Sequence, residues 1–165
     1  MKMRKAVAAV LILWTTVLDL SAAQRAALRG PSTVTAAVEA ALRKLDDAEL
    51  QGIRKREVKF VDEVYAADAV VFPVYLPLKF EGRDGAREAW QSFYDRFAEI
   101  KKSDWSERIY HAAGASSAWM TCLWHLEGLN ADGQPLEMDL RVTRHYEKRQ
   151  GRWLVVHEHF SLPQR

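Results

Sequence analysis

The chain has 165 residues, of which 28% are charged and 48% hydrophobic, the composition of an ordinary folded domain. Its 24 Lys and Arg residues exceed its 22 Asp and Glu residues by two, and that surplus lies in the first 23 residues, which hold Lys2, Arg4, Lys5 and Asp19. The rest of the chain is net neutral. Because binding to phosphate backbones requires clustered basic side chains, we predict no nucleic-acid partner.

The N-terminus has the pattern of an export signal. A basic start is followed by a 13-residue apolar run at 6–18, and Ser21 and Ala23 supply the small residues that signal peptidase requires. The run is shorter than the roughly 20 apolar residues of a membrane span. We therefore predict a signal peptide at 1–23 and a secreted or periplasmic protein without a stable membrane anchor. An uncleaved anchor or a buried first helix is the alternative.

The first half of the mature chain is predicted to be helical, after a disordered or linker segment at 24–32. Apolar residues recur at helical spacing on both sides of Gly52, which predicts two helices separated at that glycine. A short apolar strand follows at 69–74, and a third helix begins near Asp84, a suitable N-cap. The apolar helical positions are Val34, Val38, Ala41, Leu42 and Leu45, then Ile53, Phe60, Val61, Val64 and Tyr65, then Ala86, Trp90, Phe93, Tyr94 and Phe97.

The second half is predicted to consist of four strands joined by tight turns. Helices followed by consecutive hairpins indicate one α+β domain at 33–165, with the helices packed on one face of a curved antiparallel sheet. The strands are predicted near 104–112, 116–128, 136–147 and 152–161, and the turn signals are Gly114, Asp132-Gly133 and Gln150-Gly151.

The tail at 141–161 resembles SnoaL-like proteins of the nuclear transport factor 2 superfamily. The matching pattern is Thr143-Arg144, an aromatic residue two positions later, basic residues, Gly-Arg-Trp at 151–153, and then V-H-x-H-x-S. Tyr-Ala-Ala-Asp-Ala at 65–69 and Phe-Glu-Gly-Arg at 80–83 also resemble this family. The similarity is greatest to the branch that contains the association (hub) domain of calcium/calmodulin-dependent kinase.

This resemblance implies a fold, and leaves the reaction open. The fold is a cone-shaped, cystatin-like α+β barrel with a pocket between sheet and helices, and it usually forms a dimer through the sheet. The superfamily includes isomerases, dehydratases, cyclases, hydrolases and non-catalytic modules. Arg144 matches an arginine that points into the hub pocket. Thr121 and Phe160 stand where the hub domain has further pocket arginines, which implies a more apolar pocket here.

The last hairpin predicts two charges on an otherwise apolar face. If the loop around Gln150 has an odd number of residues, Arg144 faces Val156 and Val142 faces Glu158, so that Arg144 and Glu158 are diagonal neighbours. An even loop would mix polar and apolar residues on each face, so the odd loop is preferred. The other members of the face are Met138, Leu140, Val142, Tyr146, Leu154, Val156 and Phe160.

An unpaired buried ion costs several kcal/mol, so Arg144 and Glu158 each need a partner on this apolar face. Two interpretations supply one. In the first, they form a buried ion pair that only neutralises itself. In the second, Glu158 acts as base or acid, and Arg144 receives an anionic or carbonyl oxygen of a ligand.

Further candidates for the pocket come from strand alternation and from the third helix. Trp119 and His125 lie on the pocket side if Thr121 does. His125 is then a catalytic candidate, and a hydrogen-bonded core histidine is its alternative. Trp90 and Tyr94 are candidates for the helical wall, with the Tyr94 hydroxyl available to a ligand oxygen. Plain core packing is their alternative.

A metal site is a weaker interpretation. His157 and His159 form an H-x-H pair, to which Asp139 could add a third ligand. In the proteins that the tail resembles, however, this face packs against a partner subunit, so we predict no metal and no cofactor. Cys122, the single cysteine, has apolar neighbours and is predicted to be a packed thiol, with an interchain disulfide as the alternative.

Together these patterns predict an exported domain that binds a small, mostly apolar ligand in a conical pocket and forms a homodimer through the sheet. If it is an enzyme, its chemistry is proton transfer or water addition. The alternative is a non-catalytic association or sensing module. The catalytic candidates are Glu158, Arg144 and His125, and the ligand-binding candidates are Tyr94, Trp90, Trp119, Thr121, Val142 and Phe160.

Overall fold

The computed structural model describes residues 32–163. The predicted signal peptide at 1–23 lies outside the described residues, as does the predicted linker at 24–32 except for Ser32. Within the part of the chain that the structure describes, no helix is long and apolar enough to cross a membrane.

A two-residue strand, β1 (Ser32–Thr33), precedes the long helix α1 (Ala36–Lys55). The Thr35 hydroxyl caps α1 by accepting the Val38 N–H. The helix continues through Gly52, where the sequence predicts a break. The glycine instead makes room for Phe60: a Cβ on Gly52 would lie 2.2 Å from the Phe60 ring.

The predicted second helix is reduced to a single turn, α2 (Val61–Val64), and Tyr65 already begins the strand β2 (Tyr65–Phe72). After a two-residue strand, β3 (Phe80–Glu81), helix α3 runs from Gly82 to Tyr94. Its N-cap is Glu81, and Asp84 lies inside the first turn, so the predicted Asp84 cap was wrong. The predicted apolar face of this helix is buried.

Four long strands follow, three of them close to the predicted positions. The first begins at Phe97 and not near 104, so the prediction that Phe97 belongs to the third helix was wrong. The four strands are β4 (Phe97–Ala112), β5 (Ser117–Asn130), β6 (Pro135–Arg149) and β7 (Arg152–Ser161). The seven strands form one sheet in the order β1-β4-β5-β6-β7-β2-β3. All neighbours are antiparallel except β2 and β7, which pair in parallel.

Helix α1 packs on β4 and β7, and α3 packs on β2 and β3, so within residues 32–163 both helices cover the same, inner face of the sheet. This is the predicted α+β architecture of helices on one face of a curved sheet.

The register of the last hairpin differs from the predicted one. Arg149 pairs with Arg152 across a two-residue turn, in which Gln150 and Gly151 have φ angles of 50° and 80°. Positive φ at both central residues is the mark of the hairpin turns that match strand twist. A β-bulge between His145 and Tyr146 then restores the faces. As a result Arg144 lies directly opposite Glu158, and the odd-loop prediction of diagonal neighbours was wrong.

Candidate functional site

A charged cluster lies between α1 and the inner face of the sheet. Arg144 of β6 and Glu158 of β7 meet Asp46 and Glu49 of α1, and all four side chains have no exposed surface. Asp46 and Glu49 are close to one helical turn apart, so both project from the face of α1 that packs on the sheet.

Three carboxyl groups surround the single guanidinium group. Arg144 Nε donates to Glu158 Oε1 at 2.8 Å, and Arg144 Nη1 donates to Asp46 Oδ1 at 2.8 Å. Arg144 Nη2 contacts both Glu49 Oε1 and Glu158 Oε1. The guanidinium carbon also lies 4.7 Å from the centre of the Trp105 ring. Every guanidinium nitrogen therefore has a carboxyl partner within the protein.

Tyrosine hydroxyls complete the cluster. Tyr146 donates to Asp46 Oδ1 at 2.7 Å, and Tyr110 donates to Asp46 Oδ2 at 2.5 Å. The Tyr65 oxygen lies 3.0 Å from Glu49 Oε2, contacts Glu158 Oε2, and accepts the Trp90 indole N–H at 3.0 Å. Within residues 32–163, Trp105 Nε1 is the one buried side-chain polar atom that has no hydrogen-bond partner, so the cluster satisfies itself.

Burial sets the acidity of these groups. Desolvation raises the pKa of Glu49 well above its ordinary value, against the opposing attraction of Arg144. Burial likewise raises the pKa of Glu158, although Arg144 and the Tyr65 hydrogen bond act in the other direction. Burial also raises the pKa of the Cys122 thiol to about 12, as expected of a packed thiol.

An apolar pocket lies next to the cluster, between α3, the inner face of the sheet and the segment that follows β2. It is a narrow, partly open cavity of about 20 Å³, which has room for about one water molecule. Aromatic side chains fill most of the region. The lining residues are Val71, Pro73, Val74, Tyr75, Ala89, Trp90, Phe93, Trp124, Leu140 and Phe160.

Trp90 belongs to both the pocket and the cluster. Its ring lines the pocket, and its indole N–H donates to Tyr65. Neither Glu158 nor Arg144 lines the pocket, so Trp90 stands between the apolar space and the charged groups behind it.

The structure brings several of the predicted site residues to the interior. Arg144 and Glu158 lie in the charged cluster, Trp90 and Phe160 line the pocket, and Val142 is buried on the same face of the sheet. Tyr94 is buried as well, but its hydroxyl donates to the Glu57 carbonyl at 3.3 Å and does not line the pocket.

Three of the predicted site residues lie on the outer face of the sheet, so their placement in the pocket was wrong. The alternation of β5 is opposite to the predicted one: Met120, Cys122 and Trp124 point inwards and are buried. The half-buried outward positions of the strand include Trp119, Thr121 and His125.

On that outer face, His125 is held by two carboxylates. Its ring nitrogens lie 2.8 Å from Asp139 Oδ1 and 2.7 Å from Glu127 Oε1, and the bond to Asp139 contributes most to raising the pKa of His125. Trp119 stacks on His111 with ring centres 4.0 Å apart. These contacts hold both side chains away from the interior.

The H-x-H pair also lies on the outer face. The Phe72 ring packs edge-on against His157 and His159, with ring centres 5.1 and 6.0 Å apart. Among the described residues, no three His, Cys, Asp or Glu side chains are grouped as a metal site would require.

Sequence reasoning missed the contribution of α1. Asp46 and Glu49 belong to a charged stretch of the helix, a pattern that is typical of a solvated face. Both acids, however, continue the helical spacing of the buried residues Leu42 and Ile53. That spacing is the signal that could have placed them inside.

Comparison with known proteins gives the family context. The family model described as a SnoaL-like domain matches residues 38–165. A nuclear transport factor 2-like protein of unknown function from Pseudomonas putida KT2440 is 26% identical; the match covers 82% of this chain and 92% of that one, with a TM-score of 0.69. No curated protein sequence matches the chain.

Two further solved structures share the fold at lower identity. One is a candidate calcium/calmodulin-dependent protein kinase II association domain from Xanthomonas campestris, with 21% identity, 74% and 85% coverage of this chain and that one, and a TM-score of 0.63. The other is the hexachlorocyclohexane dehydrochlorinase LinA-type3 from Novosphingobium barchaimii LL02, with 18% identity, 78% and 88% coverage, and a TM-score of 0.71. Similarity at this level establishes the nuclear transport factor 2-like, cystatin-like fold.

Proposed function

Because this chain belongs to the SnoaL-like domain family, we propose that it binds a small, mostly apolar ligand in the pocket between α3 and the sheet. The observation that carries the proposal is the lining, which contains no charged side chain. An apolar ligand that leaves water for such a site gains roughly 25 cal/mol for each Å² of apolar surface buried. The dehydrochlorinase of the same fold is named for a small apolar compound, which is consistent with this class of ligand.

Ligand entry requires the pocket to widen, because a water molecule already has little room. The outer wall includes Pro73, Val74 and Tyr75, which belong to the segment between β2 and β3. Tyr75 fastens this segment to α3 by donating its hydroxyl to the Ala89 carbonyl, and Arg96 lies over its ring at 4.1 Å. We propose that this segment is the entrance and that it moves when a ligand binds.

The test is to add benzene or naphthalene to the folded protein and to measure the melting temperature and the tryptophan fluorescence. Trp90 and Trp124 line the pocket and contribute to that fluorescence. A ligand at about 100 times its Kd stabilises the folded state by about 2.7 kcal/mol, so we expect the parent melting temperature to rise. Ala89→Leu fills the pocket and should abolish the increase. Ala40→Leu makes the same change at an exposed position of α1 and should retain it. An equal increase in Ala89→Leu, or none in the parent, would contradict the proposal.

Catalysis by proton transfer or water addition is the second candidate function. It is supported by the hydrogen bond from Trp90 to Tyr65, which connects the pocket wall to Glu158. Arg144 is less suited to anchor a ligand, since all its nitrogens already bind carboxyl groups. Binding therefore ranks first, because Glu158 has no exposed surface and a ligand would have to pass Trp90 to reach it.

An association role through the outer face of the sheet is a further proposal. Ile109 and Leu123 expose 53% and 43% of their surface on this face. Such exposure in the middle of a sheet favours a partner, and a second copy of the chain would bury both residues. The homodimer is compatible with a ligand in the pocket, because the pocket opens on the inner face.

Export remains a proposal that rests on the pattern of residues 1–23. It would bring the pocket into contact with ligands outside the cytoplasm.

A further inference from the structure

The Tyr65 hydroxyl has more neighbours than one hydrogen atom can serve. A phenol has one hydrogen to donate and two lone pairs to accept with. Its oxygen lies 3.0 Å from Trp90 Nε1, 3.0 Å from Glu49 Oε2, and in contact with Glu158 Oε2. The indole can only donate, so it occupies one lone pair of Tyr65.

The single phenolic hydrogen can be given to only one of the two carboxyl groups. Glu158, which receives two hydrogen bonds from Arg144 where Glu49 receives one, is the better compensated carboxylate and takes it. The remaining lone pair of Tyr65 then faces Glu49 Oε2. Two oxygen lone pairs at hydrogen-bond distance, on side chains with no exposed surface, repel each other unless a hydrogen lies between them.

We propose that Glu49 is protonated in the folded protein at neutral pH and donates its carboxyl hydrogen to Tyr65, so that the cluster is a buried proton-binding site.

The number of donors around each acid agrees with this assignment. Asp46 receives three, from Arg144, Tyr146 and Tyr110, and Glu158 also receives three, two from Arg144 and one from Tyr65. Glu49 receives one, from Arg144 Nη2. Glu49 is therefore the acid with an oxygen free to carry a hydrogen.

The charge of the cluster points the same way. Three ionised carboxyl groups around one guanidinium group would leave two uncompensated negative charges out of contact with water, and one bound proton removes one of them. The raised pKa of Glu49 has the same origin. The titratable groups in or beside the cluster are Asp46, Tyr65, Tyr94, Tyr110, Cys122, Arg144, Tyr146 and Glu158, and Arg144 is the one cation among them.

The proton lies one side chain away from the pocket, because Trp90 touches Tyr65 on one side and the pocket on the other. If a ligand reacts there, the cluster would enter the reaction as a proton donor, with Glu49 acting through Tyr65. This last step rests on the proposed function. The bound proton itself does not, since it is a property of the ligand-free protein.

Infrared spectroscopy of the ligand-free protein at neutral pH tests the proposal directly. A protonated carboxyl group has a C=O stretch at higher frequency than any carboxylate band, and we expect one such band. Glu49→Gln should remove it, because the amide replaces both the acceptor and the donor of the protonated acid. Glu39→Gln changes an acid elsewhere on α1, paired with Arg43, and should leave the band unchanged.

Two spectroscopic outcomes would overturn the proposal. The first is a folded parent protein without the band. The second is a band that survives in Glu49→Gln and disappears in Glu158→Gln, which would place the proton on the other acid. Benzene binding can fail without any effect on the band, and the band can be absent while benzene binds, so the two proposals fail separately.

The pH dependence of stability gives a second measurement. A glutamate whose pKa is raised in the folded state takes up a proton on folding, so its stabilising contribution is complete below the unfolded pKa and is lost as pH rises through the folded pKa. The folded-to-unfolded ratio of the parent, divided by that of Glu49→Gln, should fall about tenfold per pH unit above roughly pH 5. A ratio that stays constant or rises between pH 5 and pH 8 would contradict the bound proton.

Discussion

Asp46 and Glu49 occupy neighbouring turns of the same helix face, contact the same arginine and are equally buried, yet their surroundings demand opposite chemistry. Three donors converge on Asp46, which must therefore act only as an acceptor. Glu49 receives one donor and faces a tyrosine oxygen. A carboxyl-to-amide change, which exchanges one acceptor for a donor, should be harmful at the first position and tolerated at the second.

We predict that Asp46→Asn destabilises the protein by about 3–5 kcal/mol, because its amide hydrogens oppose the donors that now point at Asp46 and one of the negative partners of Arg144 is lost. Glu49→Gln should not lower the free energy of unfolding at neutral pH, because the amide keeps a donor toward Tyr65 and removes the cost of protonating Glu49 on folding. Urea unfolding of the two variants and the parent gives the comparison. Equal losses in both variants would show that the two acids have the same role.

The residues of this site could be predicted only in part. Arg144 and Glu158 stand out in the sequence because two charges interrupt an apolar strand pattern. The acids of α1 do not, since an acid in a charged helix usually faces water, and only its contact with a distant strand shows otherwise. The sequence places Tyr65 only among the apolar positions of a helix, and its hydrogen bonds to acids 16 and 93 positions away lie beyond any local pattern.

At the scale of the elements, Gly52 fixes how α1 meets the turn that follows it. The Phe60 ring occupies the space that a side chain would need, with ring carbons 2.2 and 2.7 Å from the site of a Cβ atom. This contact lets α1 continue to Lys55 while the chain doubles back against it. The glycine is therefore a point of close packing inside a helix.

We predict that Gly52→Ala destabilises the protein by about 1–2 kcal/mol. Alanine favours the helix by up to about 1 kcal/mol, but the displaced ring costs about 1–3 kcal/mol. Thermal unfolding measures the loss. Combined with Phe60→Ala, which removes every ring atom, Gly52→Ala should cost less than it does alone. Strictly additive losses would argue against the clash as the cause.

The elements themselves were largely predictable, for identifiable reasons. Alternating apolar residues and glycine-containing turns marked the four long strands, since these signals are local. The bulge between His145 and Tyr146 has no such signal. Because of it, a two-residue loop keeps the apolar residues of β6 and β7 on one face, which the sequence interpretation had excluded. The inward face of β5 was predicted wrongly, because a half-buried outer surface accepts both polar and apolar residues. Alternation along the strand then shows which residues share a face, but not which of the two faces is buried.

At the scale of the whole molecule, the proposed dimer places the outer face of the sheet between two copies of the chain. We predict that the protein is a dimer and that Leu123→Glu makes it monomeric, because a charge in the middle of the interface would be buried without a partner. Sedimentation velocity measures the change. Leu78→Glu alters an equally apolar, exposed residue outside the sheet and should remain dimeric. A parent that is monomeric at high concentration would refute the interface.

The position of β7 has a consequence for how the chain is made. This strand lies between β6 and β2, and β2 has no other long partner in the sheet. During synthesis β2 therefore leaves the ribosome long before β7, the strand with which it pairs. Asp46 and Glu49 of α1 likewise emerge before Arg144, which compensates their charge. Because synthesis starts at the N-terminus and a domain folds as a unit, the early half must wait with unpaired edges and solvated charges. We expect the growing chain to need protection from aggregation until β7 emerges, after which the whole sheet can close in one step.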